Sequence, residues 1–442
     1  MLCTTARRRW LPAALAPVTV GIALAGVAGC ASELSSGASP SVAPVSPADA
    51  RPNTAILTWN TAARDALVAH DKYANPLAAA RVYALVHLAQ HDAVNATAPA
   101  FDSYAFDGRD MGADPEAAGA AAAHAVLTTT FPAQQPALDA TLAAALAAVP
   151  DGDAETRGVA LGRQAAAAIL ALRATDGSDT PIVGDYVPRA DPGRYQFTAP
   201  FDFAFLPGWR TLRPFALARP DQFRPKPPPA LDSKAYADGY AEVKATGQAG
   251  SQARTPDQSA YAKFWYEFSE LGWNRIARTV AAERSLGLQS TARLFALLNM
   301  ALSDAYVAGW DAKFHYDFWR PVTAVRAAAT DGNPATAPDA AWESAEPTPP
   351  VQDYPSTHSA LGDAAAEVLA SVFGDRTPFT FTSPTADPVN SARSFARFSD
   401  AADENAESRV MAGIHFRFST GAGQDLGRRV GRWTVAHHLR RR

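Results

Sequence analysis

Apolar residues recur at three- and four-residue spacing along most of this chain, and a stripe of that period has to be buried along one side of a helix. The segments "NTAILTWNTAARDALVAH" from Asn53 and "NPLAAARVYALVHLAQHDAVNAT" from Asn75 show it, and three alanine-rich segments follow between 117 and 173. Alanine, the strongest helix former, dominates, whereas the β-branched and aromatic runs of a sheet are scarce. The expected fold is therefore all-α: two packed helical bundles with long Pro-rich loops. Residues 177–235 break the pattern with prolines and aromatics, as in "RPKPPPAL", and read as a wall over neighbouring helices. Helical spacing returns near 258 and, apart from a loop near 330–353, runs to the end. This divides the body into an N-terminal helical region, 53–250, and a C-terminal helical region, 251–442, which holds the chemistry-bearing motifs.

The front of the chain differs. Three arginines precede an apolar stretch from Trp10 to about Ala28, closing on Val27-Ala28-Gly29-Cys30. That is the layout of an export signal, 1–29, with a lipoprotein-type box that makes Cys30 the lipid-bearing residue; plain secretion or an uncleaved anchor are the alternatives. Removing 1–29 takes away Arg7, Arg8 and Arg9 and no acid, so the net charge moves from −4 to −7. It leaves Cys30 as the one cysteine, which excludes an internal disulfide, a thiol catalyst and a cysteine-based metal site. Residues 30–52, rich in Ser, Ala and Pro, read as a flexible spacer. No later segment is long and apolar enough to span a bilayer. The expected location is extracytoplasmic, secreted or held to the membrane only by lipid. The acidic balance and the lack of a basic stripe argue against nucleic acid.

Three short stretches carry charge into apolar surroundings. In "KFHYDFWRP", Lys313 and Arg320 are seven residues apart, which on one helix puts them about 20° from a common face. In "DYPSTHSALGDAAAEVLASVF", Ser356 and Thr357 open a helix whose free N–H groups and dipole suit an anion, with His358 in the first turn. In "SRVMAGIHFRFS", Gly413 is placed to break a helix so that Arg409 and His415 turn into one pocket. Each stretch has a plainer explanation: a solvated face, an ordinary N-cap, a satisfied core histidine. Together, three cations, a hydroxyl, a helix N-terminus and two imidazoles form a full set for holding a tetrahedral oxyanion.

This set, in this order, resembles the superfamily of vanadium-dependent haloperoxidases and type 2 phosphatidic-acid phosphatases. Its pattern, Lys-x6-Arg-Pro, then Pro-Ser-Gly-His, then Ser-Arg-x5-His, is met by Lys313, Arg320 and Pro321, by Pro355, Ser356 and His358, and by Ser408, Arg409 and His415. "ARVYALVHLAQHDAVNAT", "QFRPKPPP" and "GWDAKFHYDFWRPVTAVR" look like bacterial haloperoxidase-type members. The resemblance implies vanadate as cofactor, with phosphate as a competing isostere. His415 would then be the protein ligand of the metal, and Lys313, Arg320, Ser356, Thr357 and Arg409 would hold the oxygens. His358 would move a proton of hydrogen peroxide and Lys313 would polarise a peroxide oxygen for attack by halide, giving hypohalous acid for a small organic acceptor. The alternative is an acid phosphatase in which His415 attacks phosphorus and His358 serves the leaving group and then water. An anion-binding protein without turnover is the third reading.

Two positions depart from the pattern. Thr357 replaces the glycine, which is expected to narrow the pocket, and Ser419 stands where the phosphatases carry an acid. Asp425 or a backbone carbonyl is expected to orient His415 instead. His87, His91 and Asp92 share a helix face but read as hydrogen-bonded packing, not a metal site. Asp311, His315 and Asp317 are candidates to pair with Arg320 or tune the pocket. His437 and His438 read as exposed, aromatics in 196–223 as core or entrance, and Val351 as uninformative about halide.

Overall fold

The computed structural model describes residues 46–442, so the expected signal peptide and Cys30 lie outside the described residues. Five helices come first: α1 (Thr54–Asp71), α2 (Pro76–Thr97), α3 (Pro115–Thr130), α4 (Gln135–Leu146) and α5 (Asp153–Arg173). After the wall come α6 (Lys234–Thr246), α7 (Pro256–Phe264), α8 (Ser269–Glu283), α9 (Leu288–Tyr316), α10 (Pro321–Arg326), α11 (Thr357–Phe373), α12 (Phe398–Met411) and α13 (Arg417–His437). Several starts use one device, a capping side chain followed by proline. Asn75 accepts from the Ala78 N–H ahead of α2, and Asp114 accepts from Glu116 and Ala117 ahead of α3.

The helices α2 and α9 are buried over nearly their whole length and pack on each other. Around α2 lie α3 and α5; around α9 lie α11 and α13. Each central helix also anchors a loop in the same way. Asp92 on α2 accepts from the backbone N–H groups of Tyr104, Ala105 and Phe106, and Asp304 on α9 accepts from those of Phe215, Ala216 and Leu217. His87 meets Asn60 and His91 meets the Asp102 carbonyl, each through Nε2 with Nδ1 left without a partner, so these histidines pack within the core. Among the described residues no group of three or more His, Cys, Asp or Glu could hold a metal ion.

Three features differ from the periodicity reading. A short antiparallel hairpin, β1 (Phe379–Thr382) with β2 (Ala392–Phe395), interrupts the helices, its Phe379 facing Phe395. Helix returns at Lys234, well before 258. Of the expected spacer, residues 46–52 fall within the described body and are held. Ser46 Oγ donates to Gln289 Oε1 at 2.5 Å, Asp49 accepts from Ser290, and the Arg51 carbonyl accepts from the Leu288 N–H.

The wall segment is fastened to the C-terminal end of α9. Arg224 forms a two-pronged pair with Asp311 at 2.7 Å, and Arg189 and the Tyr186 hydroxyl both donate to Asp317. Asp311 and Asp317 therefore serve the wall, not Arg320. His315 is exposed. Trp209 and Phe215 are core residues, and Arg173 lies over the Phe215 ring at 3.9 Å. No described helix is long and apolar enough to cross a membrane.

Candidate active site

Lys313 and Arg320 do not share a helix face. Helix α9 stops at Tyr316, and Asp317 takes the left-handed conformation (φ 55°) that caps it. The turn carries Arg320 to the N-cap of α10, ahead of Pro321, and brings its guanidinium back beside Lys313. Both are buried. Lys313 Nζ donates to the carbonyls of Gln352 (2.6 Å) and Asp353 (3.0 Å), and Arg320 Nε donates to the Val351 carbonyl at 2.6 Å. The strand of backbone before Pro355 is thus the floor against which two cations are fixed.

Ser356 caps α11, and Ser359 Oγ donates to its oxygen at 2.9 Å. That leaves the Ser356 hydroxyl proton available to a ligand, next to the free N–H groups of the helix start. Thr357 does not crowd this space as expected. Its methyl group lies against α9 at Gly309, where any Cβ would run into it. Its hydroxyl makes no hydrogen bond among the described residues, and the residue keeps 8% of its surface. A glycine in the neighbouring helix has made room for the side chain that replaces the motif's own glycine.

His358 and Arg409 are tied together by one backbone oxygen, the Trp265 carbonyl just past the end of α7. His358 Nε2 donates to it at 2.8 Å and Arg409 Nη1 at 3.0 Å. Arg409 Nε is buried without a partner, and the Tyr266 ring lies 5.4 Å from the guanidinium. Gly413, left-handed at φ 77° and pressed against the Gly247 carbonyl, ends the run from α12 as the sequence suggested. His415 therefore sits in the turn before α13, where Arg320 Nη1 approaches its Nε2 at 3.1 Å. Burial, with Arg409 beside both, drives the two imidazoles well below the ordinary histidine range. Burial likewise lowers Lys313 and Arg320 and takes Arg409 down to about 10.

Lys313, Arg320, Ser356, His358, Arg409 and His415 thus come together, while the Thr357 side chain turns to Gly309. What the sequence reading missed is Asp353, which stands with Oδ1 2.8 Å from His415 Nδ1. Burial pushes its carboxyl up to about 7, against the pull of Arg320 and Lys313. Asp425, the acid first considered for this place, pairs instead with Arg429 near the surface. His437 is exposed as read, but His438 is half-buried against the Ala216 carbonyl. Beyond Tyr266 lies an open cavity of about 350 Å³ lined also by Lys263, Glu346, Thr385 and Asp387. A larger one, about 790 Å³, lies between α1, α4 and α8 and touches none of these residues.

Three buried cations with a single carboxylate among them are unstable company, since each uncompensated buried charge costs several kcal/mol. With an orphaned Arg409 Nε and a free serine proton, the cradle matches a small multiply charged oxyanion, and vanadate fits it. A helical-bundle scaffold carrying such a cradle between two imidazoles defines a class of oxyanion-dependent enzymes. Residues 293–442 match the VCPO second helical-bundle domain family. The vanadium chloroperoxidase of Curvularia inaequalis is 28% identical over 267 residues, 45% of this chain and 43% of that enzyme, so the match spans less than half the length of the curated relative. The first bacterial vanadium-dependent iodoperoxidase structure aligns with TM-score 0.74 and 26% identity, covering 88% of this chain and 98% of that one. A holo-type bacterial vanadium-dependent chloroperoxidase aligns at TM-score 0.67 and 19% identity over 81% of this chain and 92% of its own, a likeness of fold. The C-terminal third of the chain thus resembles a vanadium chloroperoxidase domain in sequence, and most of the described residues share the fold of bacterial vanadium-dependent haloperoxidases.

Proposed function

We propose that this protein is a vanadate-dependent haloperoxidase, oxidising halide with hydrogen peroxide to hypohalous acid that halogenates a small organic acceptor. The observation that carries the reading is the buried excess of positive charge at Lys313, Arg320 and Arg409, placed against the α11 start and two imidazoles. Vanadate, when bound, supplies a Lewis acid that activates peroxide without changing its own oxidation state. Lys313, Arg320 and Arg409 neutralise the oxyanion, and the Ser356 hydroxyl and the first N–H groups of α11 orient it. His415 offers Nε2 as the ligating lone pair, displacing the contact with Arg320. His358, whose Nε2 proton is committed to the Trp265 carbonyl, keeps Nδ1 as the atom that accepts and returns a proton. The cavity outside Tyr266 is the approach for peroxide, halide and acceptor.

The test is to load the purified protein with orthovanadate and supply peroxide, bromide and a phenol-type indicator. Halogenation that disappears in His415→Ala is the expected outcome. Hydrolysis of phosphate esters, inhibited by vanadate and without halogenation, would transfer the same residues to the phosphatase reading. The N-terminal motif adds a second part to the proposal: export and lipid attachment at Cys30. Cys30→Ala is then expected to move the protein from the membrane fraction to the soluble one, and an unchanged distribution removes the anchor.

A further inference from the structure

The ring of His415 has two nitrogens, and their surroundings fix what each one carries. Arg320 Nη1 lies 3.1 Å from Nε2. A guanidinium has only donors, so Nε2 presents its lone pair and the proton of the neutral ring sits on Nδ1. That proton needs an acceptor, because the ring is buried. The Asp353 carboxylate is the one group at hand, 2.8 Å away. Neither of its two oxygens nor His415 Nδ1 has a hydrogen bond to any other group, and the two residues stand within ion-pair distance of each other.

Asp353 is itself held from three sides through its backbone. Its N–H donates to the Phe318 carbonyl at 3.0 Å, and its carbonyl accepts from Lys313 Nζ and from Ser419 Oγ, each at 3.0 Å. Ser419 occupies the position, four residues beyond His415, where the phosphatase pattern carries its acid. The hydroxyl there reaches the backbone of the residue that bears the carboxylate.

We infer that Asp353 is the positioning residue for His415: it keeps the proton on Nδ1 and the lone pair on Nε2, doing from the segment before Pro355 what an acid at 419 would do, with Ser419 bracing it. This rests on the reading that Nε2 meets the oxyanion. A carboxylate behind a ligating imidazole fixes its tautomer and raises its basicity, and losing it weakens metal affinity by about 10- to 100-fold. An amide at 353 can turn its NH2 group toward Nδ1 and so favour the wrong tautomer.

Two measurements on the full-length protein decide the matter. Nitrogen-15 NMR of histidine-labelled protein, with His415→Ala for assignment, reads the tautomer without any ligand. The expected wild-type state is Nδ1–H, and a wild-type Nε2–H ring overturns the inference whether or not any variant folds. Calorimetric titration with orthovanadate should show Asp353→Asn binding about 10- to 100-fold more weakly, with affinity regained in Asp353→Ala/Ser419→Asp, where the acid returns at 419. Asp353→Asn that binds within twofold of wild type and keeps Nδ1–H also overturns it. A wild-type protein that binds no vanadate sinks the proposed function instead, while the tautomer comparison still decides the role of Asp353.

Discussion

Gly309 and Thr357 carry a message that neither position gives alone. A threonine in place of the motif's glycine would be expected to intrude on the oxyanion, yet its methyl is received by a helix that lacks a side chain at the facing position. Adding that side chain overpacks the contact, which costs about 1–3 kcal/mol in a close-packed interior. Gly309→Ala should therefore lower stability by about that amount in chemical denaturation and weaken oxyanion binding by pushing the α11 start. Thr357→Gly in the same protein should restore both. Gly309→Ala with unchanged stability would mean that the two residues are not coupled. The exchange was half legible: the sequence shows Thr357 at the motif, but the glycine that accepts it lies 48 positions earlier on another helix and has no signature of its own. Asp353 was hidden in the same way. It stands in the quoted run before Pro-Ser, and only the folded chain shows which ring it faces.

At the scale of elements, α8 is fastened to α9 by a buried acid. Glu270 is wholly buried and accepts from the Tyr306 hydroxyl at 2.8 Å, close to where Arg409 enters the site. Burial raises its carboxyl from an ordinary 4.5 to about 7. Both folded and unfolded chains hold the proton below about 4.5, so the acid exacts no penalty there. Between about pH 4.5 and 7 the unfolded chain gives up this proton while the folded chain keeps it, so stability falls by roughly 3 kcal/mol across that window and levels off above it. Denaturation of wild type at pH 5 and pH 8 should show a fall, and Glu270→Gln should remove its own share of it, since burial raises the carboxyls of Asp353 and Asp363 to about 7 as well. An equal slope in the variant would assign the pH dependence to other groups. The element boundaries that periodicity misplaced have a common cause. Helix α6 and the β1–β2 hairpin lie among prolines and aromatics, where tertiary packing rather than local spacing selects the conformation.

Over the whole molecule, the helical class was readable because alanine-rich stripes have one physical use, and the motif residues converge because their spacing matches a shared scaffold. The clamps of Arg189 and Arg224 on α9, and the double use of the Trp265 carbonyl, were not readable, since a backbone oxygen leaves no trace in a sequence. Because the cradle's cations sit on α9, at the head of α10 and on α12, an oxyanion among them ties those elements together. Orthovanadate at a hundredfold excess over its Kd should stabilise the fold by about 2.7 kcal/mol, read as a rise in Tm that grows with concentration. A Tm indifferent to vanadate would mean that nothing binds there.

The buried charges at Lys313, Arg320 and Arg409 bear on how such a protein would come to hold vanadate. A cradle this electropositive suits phosphate as well as vanadate, since both are tetrahedral oxyanions. Its first tenant would be the most abundant tetrahedral anion at hand, so acquiring vanadium becomes an exchange, governed by the ratio of the two anions and by how slowly the earlier one departs.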